Sequence, residues 1–77
     1  MKLIASYDDE VVGTRNSKRE YRAVVIALVD GREPKVWSWH GNLAAARMNM
    51  SSENSHDWTG TGYEGVRFVT SDDVRTA

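Results

Sequence analysis

The chain has 77 residues, of which 40% are hydrophobic and 27% are charged, and its net charge is −1 at pH 7. This length provides for one domain with a thin core, which disfavours a deep substrate pocket. The charge balance excludes a strong bulk attraction to nucleic acid, and the absence of cysteine excludes a disulfide framework and a thiolate zinc site.

The N-terminal region lacks the features of a targeting or membrane segment. Asp8 and Asp9 interrupt the sequence before the apolar core of a signal peptide develops. No apolar run approaches the ~20 residues that a membrane-spanning helix requires. We therefore expect a cytoplasmic protein with no membrane partner.

The first part of the chain predicts a strand followed by a turn. Lys2–Tyr7 alternates loosely and indicates a short strand, which the acidic run 8–10 interrupts and Val11 and Val12 resume. Residues 13–19 have the glycine, asparagine and serine content of a turn. We expect a flexible hairpin tip there.

A β-hairpin forms the centre of the predicted fold. Residues 21–29 have a continuous apolar stretch with β-branched residues in its middle, which is typical of a central strand covered on at least part of both faces. Residues 30–34 contain Asp-Gly and end in proline, so a turn follows. The next strand, Lys35–His40, alternates and is predicted to place Trp37 and Trp39 on one face. Its other face would then carry Val36, Ser38 and His40.

A helix and a last strand complete the domain. Asn42 is a suitable N-cap for a helix over residues 43–50, a glycine-rich loop covers 56–65, and residues 66–70 indicate a strand. The order β-β-β-α-β predicts an α+β fold, in which an antiparallel sheet of three to four strands has one helix packed on one face. We assign residues 1–70 to this single domain and residues 71–77 to a polar C-terminal tail.

Two motifs resemble chemical sites. Gly60-x-Gly62-x-x-Gly65 matches the dinucleotide fingerprint, but it follows a helix and leads into a strand, so we expect a loop with glycines at positive φ. His40, His56 and Asp57 lack the spacing and the number of ligands of a zinc site. We therefore predict no catalytic, cofactor-binding or metal-binding residues, and a function other than catalysis.

Basic and aromatic residues are the remaining candidates for partner binding. Four of them form a local basic patch, namely Arg15, Lys18, Arg19 and Arg22. The patch has three interpretations: it binds a nucleic-acid backbone, it binds an acidic protein surface, or it is simply solvated. Trp37 and Trp39 are core residues if the helix covers their face, and an exposed anchor if it covers the other. Trp58 is either a lid over the core or a second anchor, and Arg67 on the last strand completes the predicted set.

The element order carries a resemblance. The strand 21–29, its turn, the strand 36–40, the helix 43–50 and the segment Gly65-Val66-Arg67-Phe68 together resemble small phage early proteins. That group includes inhibitors of host RNA polymerase, some anti-CRISPR proteins and an antitoxin. Three strands followed by a helix are also similar to the DNA-binding domains of plant ethylene-response factors and of integrase N-termini. Those families carry several basic residues along the sheet, where this chain has only Arg22 and Lys35.

These features lead to one hypothesis and one alternative. The resemblance implies a phage-encoded, non-enzymatic protein that binds and inhibits or modulates a host complex in the host cytoplasm. Transcription machinery and nucleic-acid-processing or defence machinery are the expected targets. The alternative is a small DNA- or RNA-binding domain that uses the basic hairpin between Arg15 and Arg22. No cofactor is expected, and the sequence does not specify an oligomeric state.

Overall fold

The computed structural model describes residues 1–77 and contains six strands and one helix. In chain order these are β1 (Lys2–Tyr7), β2 (Glu10–Asn16), β3 (Ala23–Leu28), β4 (Lys35–His40), α1 (Leu43–Asn54), β5 (Arg67–Ser71) and β6 (Asp73–Thr76). The strands form two antiparallel sheets, sheet A in the order β2-β1-β6 and sheet B in the order β4-β3-β5. The predicted α+β class is confirmed and the element order is close to the prediction, with two three-stranded sheets in place of one.

Sheet B is the middle layer of the molecule. Its α1 face lines the helix-side core, a cluster made of Ala23, Val25, Ala27, Ala46 and Phe68. Its opposite face lines the inter-sheet core, which joins it to sheet A and is made of Ala5, Val24 and Ile26. β3 is therefore buried on both faces, which explains why its sequence is continuously apolar rather than alternating.

The β1–β2 hairpin turns earlier than the sequence predicts. Asp8 and Asp9 both have positive φ, 55° and 63°, as a two-residue type I′ turn requires. Residues 13–16 then belong to β2 and pair with β1, from Ala5↔Gly13 to Lys2↔Asn16. The prediction of a hairpin tip at 13–19 is wrong, because tolerance of positive φ by aspartate is a weaker signal than glycine.

The two sheets approach each other closely where β2 crosses β4. A Cβ atom added to Gly13 would lie 2.6 Å from Val36 Cγ2, which is far inside normal contact distance. Gly13 pairs with the buried Ala5, so it faces the inter-sheet core rather than solvent. Glycine is needed here because the packing leaves no room for a side chain.

The polar C-terminal segment is part of sheet A. Residues 73–76 form β6, which pairs with β1 from Ser6↔Asp73 to Leu3↔Thr76. The chain passes from sheet B to sheet A at Ser71, the last residue of β5. The Ser71 hydroxyl connects the two sheets, because it donates to the Ser6 carbonyl and accepts from the Asp73 N–H. The prediction of a tail at 71–77 is wrong, because β6 is an edge strand held by backbone pairing and needs little apolar sequence.

The helix begins where the sequence predicts and extends further. The Asn42 side chain accepts from the Ala45 N–H at 2.8 Å, which confirms its role as N-cap. The polar residues 51–54 continue the helix, and Ala46 lies fully buried against sheet B. No helix in the structure has the length and hydrophobicity needed to span a lipid bilayer.

A β-bulge in β4 separates the two tryptophans of that strand. Val25 pairs with Ser38 but Ile26 pairs with Val36, so Trp37 is an extra residue opposite β3. Trp37 therefore packs against the helix-side core, while Trp39 packs against the inter-sheet core. The prediction that they share one face is wrong, because simple alternation assumes a ladder without a bulge.

Candidate functional site

The fold gathers some of the predicted partner-binding residues and separates others. The segment from the end of β2 to the start of β3 carries Arg15, Lys18, Arg19 and Arg22. Tyr21 belongs to the same segment, and the Trp39 ring on β4 contacts it. Trp37 and Trp58 pack on the opposite side of sheet B, against the helix-side core. Arg67 begins β5 and is exposed, apart from both groups. The structure thus brings together two groups of predicted residues, the basic segment with Trp39 and, on the opposite side of sheet B, Trp37 with Trp58.

Tyr21 is the centre of this group, although the sequence did not single it out. The Arg15 guanidinium carbon lies 4.8 Å from the Tyr21 ring centroid, and that of Arg19 lies 5.2 Å away. The Trp39 ring lies 6.3 Å from the Tyr21 ring, inclined by 56°. We call Arg15, Arg19, Tyr21 and Trp39 the Tyr21 cluster. Its cation–π contacts hold two arginines around one half-buried ring.

Backbone and serine hydrogen bonds fix the segment that carries the cluster. The Ser17 hydroxyl accepts from the Arg19 N–H at 3.0 Å and donates to the Arg19 carbonyl at 2.8 Å. At the other end the Arg22 N–H donates to the His40 carbonyl at 2.9 Å. The connection between β2 and β3 is therefore tied at both ends, which orders the arginines before any partner arrives.

The positive charge of the cluster is not compensated. The single ion pair of the chain joins Arg22 and Glu20 at 3.4 Å, and both side chains are mostly exposed, so it contributes little to stability. Arg15, Lys18 and Arg19 have no carboxylate within ion-pair distance. Both guanidinium carbons lie over the Tyr21 ring, and a guanidinium that contacts a ring through its face keeps its in-plane N–H donors for an anion.

A second aromatic group lies on the helix side. Trp37 contacts Trp58, Tyr63 and Phe68, with ring centroids 5.4, 5.3 and 5.1 Å away. The Trp37 indole N–H donates to Glu53 Oε2 and the Trp58 indole N–H to the Glu53 carbonyl, both at 2.9 Å. Trp58 thus covers the end of the helix-side core with its polar atom satisfied, which is the geometry of a lid.

The glycine-rich loop binds its own carboxylate. Gly60, Gly62 and Gly65 have φ of 79°, 86° and 76°, which confirms the prediction of positive φ. Glu64 Oε1 accepts from the N–H groups of Gly60 and Gly62, at 3.1 and 3.4 Å. Hydrogen bonds from its own N–H and from those of Gly62 and Gly60 lower the pKa of Glu64, so this carboxylate is ionised at neutral pH. The donors that a phosphate would use are already occupied.

The histidines have local partners. The Ser38 hydroxyl lies 2.7 Å from His40 Nε2 and donates to Asn49 Oδ1 at 3.2 Å. Burial lowers the pKa of His40, so its imidazole is neutral at physiological pH. The His56 ring stacks edge-on against Trp58, with centroids 4.6 Å apart. The structure holds no group of three His, Asp or Glu side chains placed to bind a metal.

The surface has two pockets. One, of about 230 Å³, is bounded by Trp58 and Glu64, and the other, of about 210 Å³, lies between Arg32 and Tyr63. Neither contains a residue of the Tyr21 cluster. The cluster is therefore suited to contact with an extended surface rather than to enclosure of a small molecule.

Comparison with known proteins identifies no relative. No protein-family model matches the chain, and neither a curated protein nor a solved structure matches it. The choice of binding surface consequently rests on the arrangement of side chains in this structure.

Proposed function

We propose that this protein is a non-enzymatic binding protein that modulates a larger complex by docking the Tyr21 cluster against an acidic protein surface. The observation that carries the proposal is the placement of two guanidiniums on one ring without a carboxylate partner. Guanidinium groups are strong hydrogen-bond donors, and carboxylates are their usual charged partners. Docking against an acidic protein surface would supply carboxylates to both arginines.

The cluster has the physical properties of an interface anchor. Arginine and tyrosine are enriched among the residues that dominate binding energy, and complementary charge raises the rate of association. Because Arg15 and Arg19 are already held by Tyr21, they lose less conformational entropy on binding than free side chains would. The resemblance in element order to phage inhibitors supports a host transcription or defence complex as the target.

Nucleic acid is the second candidate, favoured by the four basic residues between positions 15 and 22. Two observations favour a protein partner instead. Asp8 and Asp9 form the turn after β1, Glu10 begins β2, and Asp72 and Asp73 lie where the chain passes from β5 to β6. All five are exposed, so the surface also carries negative charge that repels a long polyanion. In addition, Trp37 and Trp58 pack within the fold rather than forming a free stacking platform.

Affinity capture from bacterial lysate tests the proposal. The tagged protein is compared with a cluster variant, Arg15→Glu with Arg19→Glu, and with a control that carries the same charge change elsewhere, Arg47→Glu with Arg75→Glu. We expect one stoichiometric partner that resists nuclease, is lost with the cluster variant and is kept by the control. Capture by the unaltered protein and by the control that disappears with nuclease would favour the nucleic-acid candidate.

The nucleic-acid candidate makes a further prediction of its own. Binding to bare DNA or RNA would fall steeply as salt rises, because each phosphate contact releases a counterion. Replacing Lys18 and Arg19 by glutamate would abolish that binding. Retention on the nucleic acid that is unchanged by both substitutions would eliminate this candidate.

A further inference from the structure

We infer that the ligand of the Tyr21 cluster is a short protein segment rich in aspartate or glutamate, whose carboxylates bind Arg15 and Arg19. This inference rests on the proposed function and specifies the chemistry of its partner. It requires two anionic groups close together, because both guanidiniums surround the same ring.

The geometry of guanidinium and carboxylate explains this preference. A carboxylate accepts two parallel N–H bonds from the edge of a guanidinium, and that edge stays free when the face stacks on an aromatic ring. Acidic residues two apart on a strand lie about 7 Å from each other on one face, and those three or four apart on a helix lie about 5–6 Å apart. Either arrangement presents a pair of carboxylates to the two arginines at once.

A nucleic acid fits the same site less well. Single strands gain much of their affinity by stacking bases on aromatic faces. The Tyr21 ring already has Arg15, Arg19 and Trp39 within 6.3 Å of its centroid, which leaves little of it for a base. Glu20 also lies in the middle of the basic segment, exposed and paired with Arg22. Because Glu20 repels any anionic ligand, the occupied Tyr21 ring is the observation that favours an acidic segment over a nucleic acid.

The test uses a fluorescently labelled deca-glutamate peptide, with binding followed by fluorescence anisotropy at physiological ionic strength. Arg15→Gln with Arg19→Gln is expected to weaken binding about tenfold or more, because the loss of even one charge-assisted contact costs close to a factor of ten. Arg47→Gln with Arg75→Gln removes the same charge from exposed positions on α1 and β6 and is expected to change binding less than about twofold.

Tyr21 is a positioning residue, and its substitution separates alignment from charge. Tyr21→Leu keeps both arginines but removes the ring that aligns them, so peptide binding is expected to weaken severalfold. Tyr21→Phe retains the ring and is expected to restore most of the affinity. Thermal midpoints of both variants verify that they are folded, so that a loss of binding is not a loss of structure.

Four outcomes would overturn the inference. Equal weakening by the two arginine pairs would mean that bulk charge, not the cluster, attracts the peptide. Tighter binding of a decathymidylate strand that depends on Arg15 and Arg19 would identify the ligand as nucleic acid. Absence of peptide binding, while a lysate protein is still captured through Arg15 and Arg19, would reject an acidic segment and leave the proposed function standing. If neither the peptide nor a lysate protein depends on the cluster, the proposed function fails as well.

Discussion

Asn54 and Phe68 exchange two hydrogen bonds that close the free edge of β5. The Asn54 amide donates to the Phe68 carbonyl at 3.0 Å and accepts from the Phe68 N–H at 2.8 Å. The last residue of α1 therefore takes the place that a neighbouring strand would occupy. Because an unpaired edge is a template for pairing with another chain, this contact both ties α1 to sheet B and protects β5.

Asn54→Ala is expected to destabilise the fold and to promote self-association. Removing the amide leaves the Phe68 N–H and carbonyl without partners, at a cost of about 1–3 kcal/mol. Urea unfolding measures the loss, and light scattering over a concentration series measures the association. Ser52→Ala, at an exposed position of the same helix, should change neither quantity. An unfolding midpoint equal to that of the unaltered chain would show that water replaces the amide without loss.

Trp58→Ala is expected to lower the thermal midpoint substantially. Trp58 is half-buried, packs on Trp37 and Phe68, and has its indole N–H bonded to Glu53. Removing it should cost about 3 kcal/mol, near the lower end for truncation of a large aromatic residue. Arg67→Glu, at an exposed position on the neighbouring β5, should leave the midpoint nearly unchanged. If Trp58→Ala melts as the unaltered chain does, the residue is an interface anchor rather than part of the fold.

The parts of the fold that the sequence predicts are those with local signals. The apolar run of β3 and the N-cap Asn42 depend on a few adjacent residues, and both appear where expected. The bulge at Trp37 depends on the register between β3 and β4, which no pattern within β4 reveals. Likewise β6 is stabilised by backbone pairing with the distant β1, so its polar sequence carries no strand signal.

The candidate site likewise has residues that the sequence predicts and contacts that depend on the packing of the fold. Composition alone picks out Arg15 and Arg19 as basic residues in a connection. Their convergence on Tyr21 requires the β1–β2 hairpin to lie across sheet B, so that the end of β2 meets the start of β3. The connection 17–22 brings the end of β2 near the start of β3, and the packing of the two sheets sets how their side chains meet. The local hint is that Tyr21 follows Arg19 by two residues and Arg15 by six, and this spacing does not distinguish stacking from separate solvation.

Glu64→Gln is expected to weaken the dependence of stability on acid pH. Hydrogen bonds from its own N–H and from the Gly62 and Gly60 N–H groups, with the positive charge of Arg32, lower the pKa of Glu64 from its usual 4.5. A folded-state pKa below the unfolded value stabilises the fold above pH 4.5, and this contribution disappears as the pH falls through the folded-state pKa. Thermal midpoints from about pH 7 to about pH 3 measure the effect.

Asp57 also makes the stability of the fold depend on acid pH, so it contributes to the result of that experiment. A hydrogen bond from the Thr59 N–H lowers the pKa of Asp57. Protonation of Asp57 therefore also destabilises the fold as the pH falls in the acid range. Glu64→Gln should therefore reduce the slope of the midpoint against pH, and Glu64→Gln with Asp57→Asn should reduce it further. A slope that Glu64→Gln leaves intact would place the acid sensitivity at other carboxylates.

Gly13→Ala tests whether contact between the two sheets excludes a side chain at this position. The added Cβ would lie 2.6 Å from Val36 Cγ2, so β2 or β4 must shift, at a cost of about 1–3 kcal/mol. Val36→Ala removes the obstructing methyl group and by itself loses some packing in the inter-sheet core. The chain with both substitutions should be more stable than the sum of the single losses predicts. The 2.6 Å clash requires both the added methyl group and Val36 Cγ2, and Val36→Ala leaves only the 3.2 Å approach to its Cβ. Urea unfolding of the four proteins of this cycle measures the coupling, provided that the dependence on urea is the same for all. Strictly additive losses would mean that the Gly13 substitution acts through the backbone of β2 rather than through its contact with Val36.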